Sequence, residues 1–196
     1  LFSDKGEKAR DYIKGRGLTK ETVLQWGVGF APDAWDVFLS SAKSKGFTEK
    51  EIIESGLVTK NDQGKIYDRF RGRVMFPITD HNGQTVAFTG RLLPDSDSKT
   101  GKYVNSPQTD LYDKSAVVFG LYHAKKFIKE ADQVVLVEGQ MDVISSYQVG
   151  VLNVVASSGT ALTEKQLDLI GRYTKNIAVA YDQDSAGIKA LERSID

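Results

Sequence analysis

From residue 116 onward the chain alternates short apolar runs with helical patterns, and this rhythm restricts the possible folds more than any other feature. The apolar runs are "QVVLV", "VLNVVAS" and "NIAVAY". The helical patterns around them are "VVFGLYHAKKFIKE", "MDVISSYQVG", "TEKQLDLIGRY" (opened by Thr163) and "SAGIKALERSI". Each apolar run is too short for a helix and lacks the alternation of a half-exposed strand. A strand apolar on both sides must be covered on both sides, which is the arrangement of a parallel sheet flanked by helices.

The preceding part has a different texture. "DKGEKARDYIKGRG" reads as a helix capped at Ser3 or Asp4 and stopped by Gly15 and Gly17. "AWDVFLSSAKSKG" and "TEKEIIESG" read as two more, the second capped by Thr48 and ended at Gly56. "NDQG" marks a turn between extended runs, and "GRVMFPI" and "TVAFTGRLL" flank "DHNG" as a hairpin. "LPDSDSKTGKYVNSPQTD" reads as loop. The expected class is α/β: an α+β part over residues 1–115, then a Rossmann-like parallel sheet flanked by helices over 116–196.

Two of the buried runs end in acid. "QVVLV" leads into Glu138, and "NIAVAY" leads into Asp182, with Asp184 two residues on. In open parallel sheets ligands bind beyond the carboxyl ends of the strands, so these three side chains converge if the two strands are neighbours. Clustered carboxylates repel one another, and a divalent cation with oxygen ligands relieves that. Asp142, one turn into the next helix, faces the same rim. Acids at strand ends and helix starts also serve as caps, a role that suits Asp142 and Asp184. In "ASSGTALTEKQ" a strand-to-helix turn places Ser157, Gly159 and Thr160 where a phosphate or an ordinary cap fits.

Charge is unevenly spread. Residues 1–129 hold 21 Lys/Arg against 16 Asp/Glu, and residues 130–196 hold 5 against 10. A basic part beside an acidic part suits a polyanion next to carboxylate-bound cations, as well as ordinary surface variation. "YDRFRGRVMFP" spaces Arg69, Arg71 and Arg73 by two, which on a strand puts all three on one face. Arg91 and "GKYVNSP", with Lys102, Tyr103 and Asn105, extend the strip. Such a face suits nucleotide phosphates or a single strand, or is a solvated strand surface. His81 and His123 lack ligand spacing, and Trp26 and Trp35 read as core or interface residues. The absence of cysteine excludes disulfides, a thiolate nucleophile and thiolate-bound zinc, and fits a cytoplasmic location. No run is long and apolar enough for a membrane span.

With these motifs in place, "VVLVEGQMDVISSYQVGVLNVVASSGTALTEKQ" followed by "NIAVAYDQDSAG" resembles the TOPRIM domain of bacterial DnaG-type DNA primases. The resemblance extends upstream through "DRFRGRVMFPI", "KYVNSPQTDLYDKSAVVFGLYHA" and "ARDYIKGRGLTKETVLQWGVGFAPDAWD". It implies a central RNA polymerase domain that makes short RNA primers on single-stranded DNA. It implies that Glu138, Asp182 and Asp184 bind Mg²⁺ or Mn²⁺, with Asp142 as a further acidic residue of the site. It maps a basic, nucleotide-binding groove onto Arg10, Arg71, Arg73, Arg91, Lys102, Tyr103 and Asn105, and a Ser-x-Gly-Thr turn onto Ser157, Gly159 and Thr160. It further implies ribonucleoside triphosphates as substrates, nucleotide alarmones as occupants of the same groove, and a replicative helicase bound through another domain. Gln140 stands where the family often has Tyr. The family's last acidic pair is expected downstream of Asp196, so the TOPRIM part is expected to be truncated.

The chemistry implied is metal-dependent nucleotidyl transfer, which needs no side-chain nucleophile. Competing readings are a TOPRIM topoisomerase or nuclease, a phosphatase built on the Asp-x-Asp pair, and a non-catalytic module for single-stranded DNA or nucleotides.

Overall fold

The computed structural model describes residues 1–94, 101–157 and 162–181. The chain divides into two compact units. One comprises Leu1–Pro77 with Ala87–Tyr112, and the other comprises Ile78–Val86 with the chain from Asp113 onward.

The first unit opens with a 3₁₀ turn at Asp4–Gly6 that runs into α1 (Glu7–Gly15). A short helix, α2 (Lys20–Gln25), follows; the Thr19 hydroxyl caps it by accepting the Thr22 N–H. Then come β1 (Gly29–Ala31), α3 (Val37–Ser44) and α4 (Glu49–Glu54). Thr48 and Glu51 cap α4 reciprocally, each side chain accepting the other's backbone N–H. β2 (Val58–Lys60) and β3 (Ile66–Asp68) form a small antiparallel pair across the "NDQG" turn. β4 (Arg73–Thr79), β5 (Thr85–Leu92) and β6 (Tyr103–Asn105) complete a sheet of order β1-β4-β5-β6, and the hairpin end of β4 and β5, Ile78–Val86, is counted with the second unit. Val74, Phe76, Ile78 and Ala87 alternate along β4 and β5 and are buried, as a half-covered sheet requires. Three elements differ from expectation: α2 and β1 were not foreseen, and "YVN", read as loop, is strand β6.

The second unit carries α5 (Leu121–Ala131), β7 (Val134–Val137), α6 (Gln140–Gln148), β8 (Val154–Ala156), α7 (Glu164–Ile170) and β9 (Ile177–Val179). All three strands are parallel, and their order is β8-β7-β9. The chain leaves the central strand β7 for β8 and then crosses to β9 on the other side. The outer edge of β8 is closed by Phe119, which exchanges both backbone hydrogen bonds with Ala156. Leu121, Ala124 and Ile128 of α5 and Leu169 and Ile170 of α7 pack with Val134, Leu136 and Val155 into one buried cluster. Among the described residues, no helix is long and apolar enough to cross a membrane.

Loop-to-helix contacts set the start of α7. The Thr163 hydroxyl donates to the Ser115 carbonyl at 2.5 Å, and the fully buried Gln166 amide donates to the Val117 carbonyl at 2.8 Å. Lys165 pairs with Asp113 at 2.9 Å.

Candidate functional site

The carboxyl ends of the parallel strands form the first candidate region. In a sheet of order 2-1-3 the ligand crevice lies outside the ends of the two strands where the connections diverge, here β7 and β9. These two are hydrogen-bonded neighbours with Leu136 opposite Val179. Convergence of the strand-end acids requires that adjacency. Glu138, half-buried, directly follows β7, and Tyr181 ends the described part of the β9 run, with Asp182 next in the chain. Asp182 and Asp184 lie outside the described residues, as do Gly159 and Thr160 of the Ser-x-Gly-Thr turn. Ser157 is buried immediately after β8. Among the described residues no group of three His, Asp or Glu side chains gathers to hold a metal.

Asp142 is placed as a cap. Its carboxylate accepts the Gly139 backbone N–H at 3.0 Å, across the first turn of α6. That bond satisfies a helix-end donor and puts negative charge at the positive end of the helix. Asp142 therefore orders the residue beside Glu138.

The first unit holds the second region. Arg69, Arg71 and Arg73 do not form one face: Gly72 adopts φ 60°, so the chain turns between β3 and β4, and of these three only Arg73 lies on a strand. Arg73 is expected as a nucleotide-binding side chain, and the structure places it inside the fold. It is 2% exposed, and its guanidinium donates to the carbonyls of Gly90 at 3.0 Å, Gly101 at 2.9 Å and Lys102 at 3.3 Å. It ties β4 to β5 and to the start of β6. Burial, and then the neighbouring Arg71, lower its pKa from the usual value.

Arg71 goes elsewhere. Its guanidinium lies over Trp35, 4.1 Å from the ring centre, and 5.2 Å from that of Tyr67; the two rings meet edge to face. One guanidinium N–H donates to the Asp68 carbonyl. Trp35 stays 60% exposed, so it is not a core residue, whereas Trp26 is buried. An exposed indole with a stacked guanidinium is a surface for bases and phosphates. Sequence reasoning missed Trp35 and Tyr67; the flanking "APDAWD" turn shows no periodicity to mark the tryptophan as external.

The remaining strip residues stand mostly together on β5 and β6. Arg91 donates to the Tyr103 hydroxyl at 2.9 Å and lies over the rings of Tyr103 and Tyr12, with Arg91 and Tyr103 opposite each other in register. Burial raises the Tyr12 pKa, and the Arg91 charge opposes the rise. Lys102, just before β6, is exposed, and Asn105, at the end of β6, is half-buried. Arg10, on α1, donates to the carbonyls of Leu1 and Ser3 and so secures the amino-terminal segment. His123 packs between Tyr122 and Tyr147, and burial lowers its pKa; the His81 carbonyl accepts Lys125 Nζ at 2.8 Å. Neither histidine has a ligand geometry.

A short parallel sheet with an acid after its central strand, joined in sequence to a unit bearing arginine–aromatic stacks, is the arrangement of a TOPRIM-like protein with a mixed α/β unit before it. Residues 135–196 match the family described as Toprim-like, and residues 1–125 match the DNA primase catalytic core, N-terminal domain. The chain belongs to the bacterial DNA primase catalytic-core family. It is 46% identical over 190 residues to the DNA primase of Deinococcus radiodurans, covering 96% of this chain and 33% of that protein. It is 40% identical to the DNA primase of Escherichia coli strain K12 over 188 residues, covering 96% and 32%. Among solved structures, the RNA polymerase domain of Mycobacterium tuberculosis primase DnaG superposes with TM-score 0.91 at 36% identity, covering all of this chain and 65% of that one. A DnaG primase catalytic domain bound to ssDNA gives 0.86 at 40% identity, covering 98% and 61%. The chain thus spans about a third of the length of the curated relatives it matches.

Proposed function

We propose that this chain is the catalytic-core segment of a DNA primase, acting in the cytoplasm in metal-dependent nucleotidyl transfer that lays short RNA primers on single-stranded DNA. The observation that carries this reading is the parallel pairing of β7 with β9, which sets Glu138 beside the strand leading to Asp182. Glu138, Asp182 and Asp184 are all carboxylates, the oxygen donors that Mg²⁺ or Mn²⁺ takes. Held there, the metal would activate the primer 3′-hydroxyl and neutralise the leaving pyrophosphate. Asp142 positions the backbone at Gly139. Ser157, with Gly159 and Thr160, is assigned to a substrate phosphate.

The functional division falls near residue 115, with residues 1–115 carrying the template and nucleotide contacts. Arg71 stacked on the exposed Trp35 holds the strand. Arg91, Lys102, Tyr103 and Asn105 face the triphosphate or an alarmone in its place. A replicative helicase would be met through another part of the protein. The topoisomerase, nuclease and phosphatase alternatives find no support in the relatives, which are named DNA primases.

The test is calorimetry of Mn²⁺ binding to the full chain, with and without a ribonucleoside triphosphate. Binding lost in both Glu138→Gln and Asp182→Asn supports the assignment. Binding unchanged in both variants overturns it.

A further inference from the structure

An open, largely apolar hollow of about 310 Å³ lies in the first unit. Its floor is the half-exposed face of β1, β4 and β5, contributed by Phe30, Met75 and Phe88. Its walls are Phe38, Phe70 and the exposed edge of α3, where Val37 and Ser41 stand. The volume is at the lower end of the range for ligand pockets, about 300–1,000 Å³, which is ample for one heterocycle.

Asp68 connects this hollow to the arginine–tryptophan stack. Its carboxylate stands in the hollow's wall and accepts the Phe38 and Leu39 N–H groups at 2.7 and 3.0 Å, fixing the start of α3. Its backbone N–H donates to the Trp35 carbonyl at 2.8 Å, and its own carbonyl accepts Arg71. One residue thus sets both the stack that suits a strand and a ring-sized apolar recess next to it. The recess has the Ser41 hydroxyl at its exposed edge, which can donate to or accept from the polar edge of a nucleobase. An aromatic floor offers stacking to any base.

We infer that the hollow takes one unstacked nucleobase of the single strand whose neighbouring nucleotide rests on Trp35 and Arg71. This rests on the proposed reading of the first unit as a single-strand binder. The strand then has two anchored bases, one on the exposed indole and one inserted beside α3.

The experiment is an abasic scan. The full chain is titrated with a fluorescent single-stranded oligonucleotide in which each base is removed in turn. The variants are Ser41→Phe and Val37→Trp, both filling the hollow from its exposed edge, together with Trp35→Ala and Arg71→Ala. Thermal melting confirms that each variant is folded. Two sensitive positions are expected in the unsubstituted protein, each weakening binding about tenfold when abasic. Ser41→Phe and Val37→Trp remove one sensitivity, and Trp35→Ala removes the other. A scan with fewer than two sensitive positions, or one that both filling variants leave unchanged, overturns the inference. If Trp35→Ala and Arg71→Ala leave affinity for the intact oligonucleotide unchanged, the underlying single-strand reading fails as well.

Discussion

The backbone N–H of Ala180 donates to the carbonyl oxygen of Leu136 at 2.9 Å. That bond continues the β7–β9 ladder past Val179 and carries the second strand's run to the level where Glu138 leaves the first. Glu138→Gln keeps the size of the side chain and removes its charge. In a full-length primase that carries this sequence, primer synthesis is expected to fall at least about a hundredfold, the scale of losing a metal ligand. The melting temperature should stay within about 2 °C, since an exposed-to-half-buried polar replacement is nearly neutral for folding. Primer yield at wild-type level from the folded variant would rule out Glu138 as a ligand.

Asp142 is separated from Glu138 by one turn yet has a different expected signature. Its bond to the Gly139 N–H makes it a cap, so Asp142→Ala should lower unfolding free energy by about 1 kcal/mol in urea titration, and Asp142→Asn by less. Mn²⁺ affinity of Asp142→Asn should remain within about threefold of the unsubstituted protein. A loss as large as that from Glu138→Gln would make Asp142 a direct ligand instead.

The parallel sheet was legible because each of its strands is a continuous apolar run followed by helical spacing, and burial on both faces leaves no other economical solution for "VVLV" or "NVVA". The acids at the strand ends were visible for the same reason. The arginine strip was not, because spacing by two signals one face only if the strand is unbroken. Gly72 at positive φ breaks it, and the sequence "RFRGR" shows a glycine without showing which side of it the strand begins. β6 was hidden by composition: "KYVN" sits among proline, glycine and serine, and its pairing with "TGR" of β5 comes from a long-range register that local propensity does not encode. Asp68 carries no mark in the sequence that sets it apart from a surface acid. It is 3% exposed, and it caps α3 from 30 residues away, a contact made by tertiary packing alone.

Arg73 and Arg71 should separate cleanly in experiment. Arg73→Met leaves the carbonyls of Gly90, Gly101 and Lys102 without their buried donor and should destabilise the fold by about 2–4 kcal/mol. Where the variant is still folded, the salt dependence of its single-strand affinity should be unchanged. Arg71→Ala should cost little stability and should reduce the slope of log affinity against log salt by about 0.7, one phosphate contact on a single strand. Equal salt slopes for Arg71→Ala and the unsubstituted protein would remove Arg71 from the phosphate-facing set.

The ion pair at the start of α7 gives the acid limb of stability a definite sign. Hydrogen bonds from Ser115 and Lys165 hold the Asp113 carboxyl well below the usual carboxylate range. The folded state therefore favours the ionised form more than the unfolded chain does. Its contribution is fully present above the unfolded value of about 4, and it fades as pH falls below that. Urea midpoints of the unsubstituted protein should decline between pH 5 and about pH 3 more steeply than those of Asp113→Asn, which has no proton to take up. The pair is at the surface, so 0.5 M salt should narrow the difference by weakening the Lys165 attraction while leaving the Ser115 bonds in place. Identical acid limbs for the two proteins would show that Asp113 is equally ionised in the unfolded chain and that its bonds to Ser115 and Lys165 add nothing to the pH dependence.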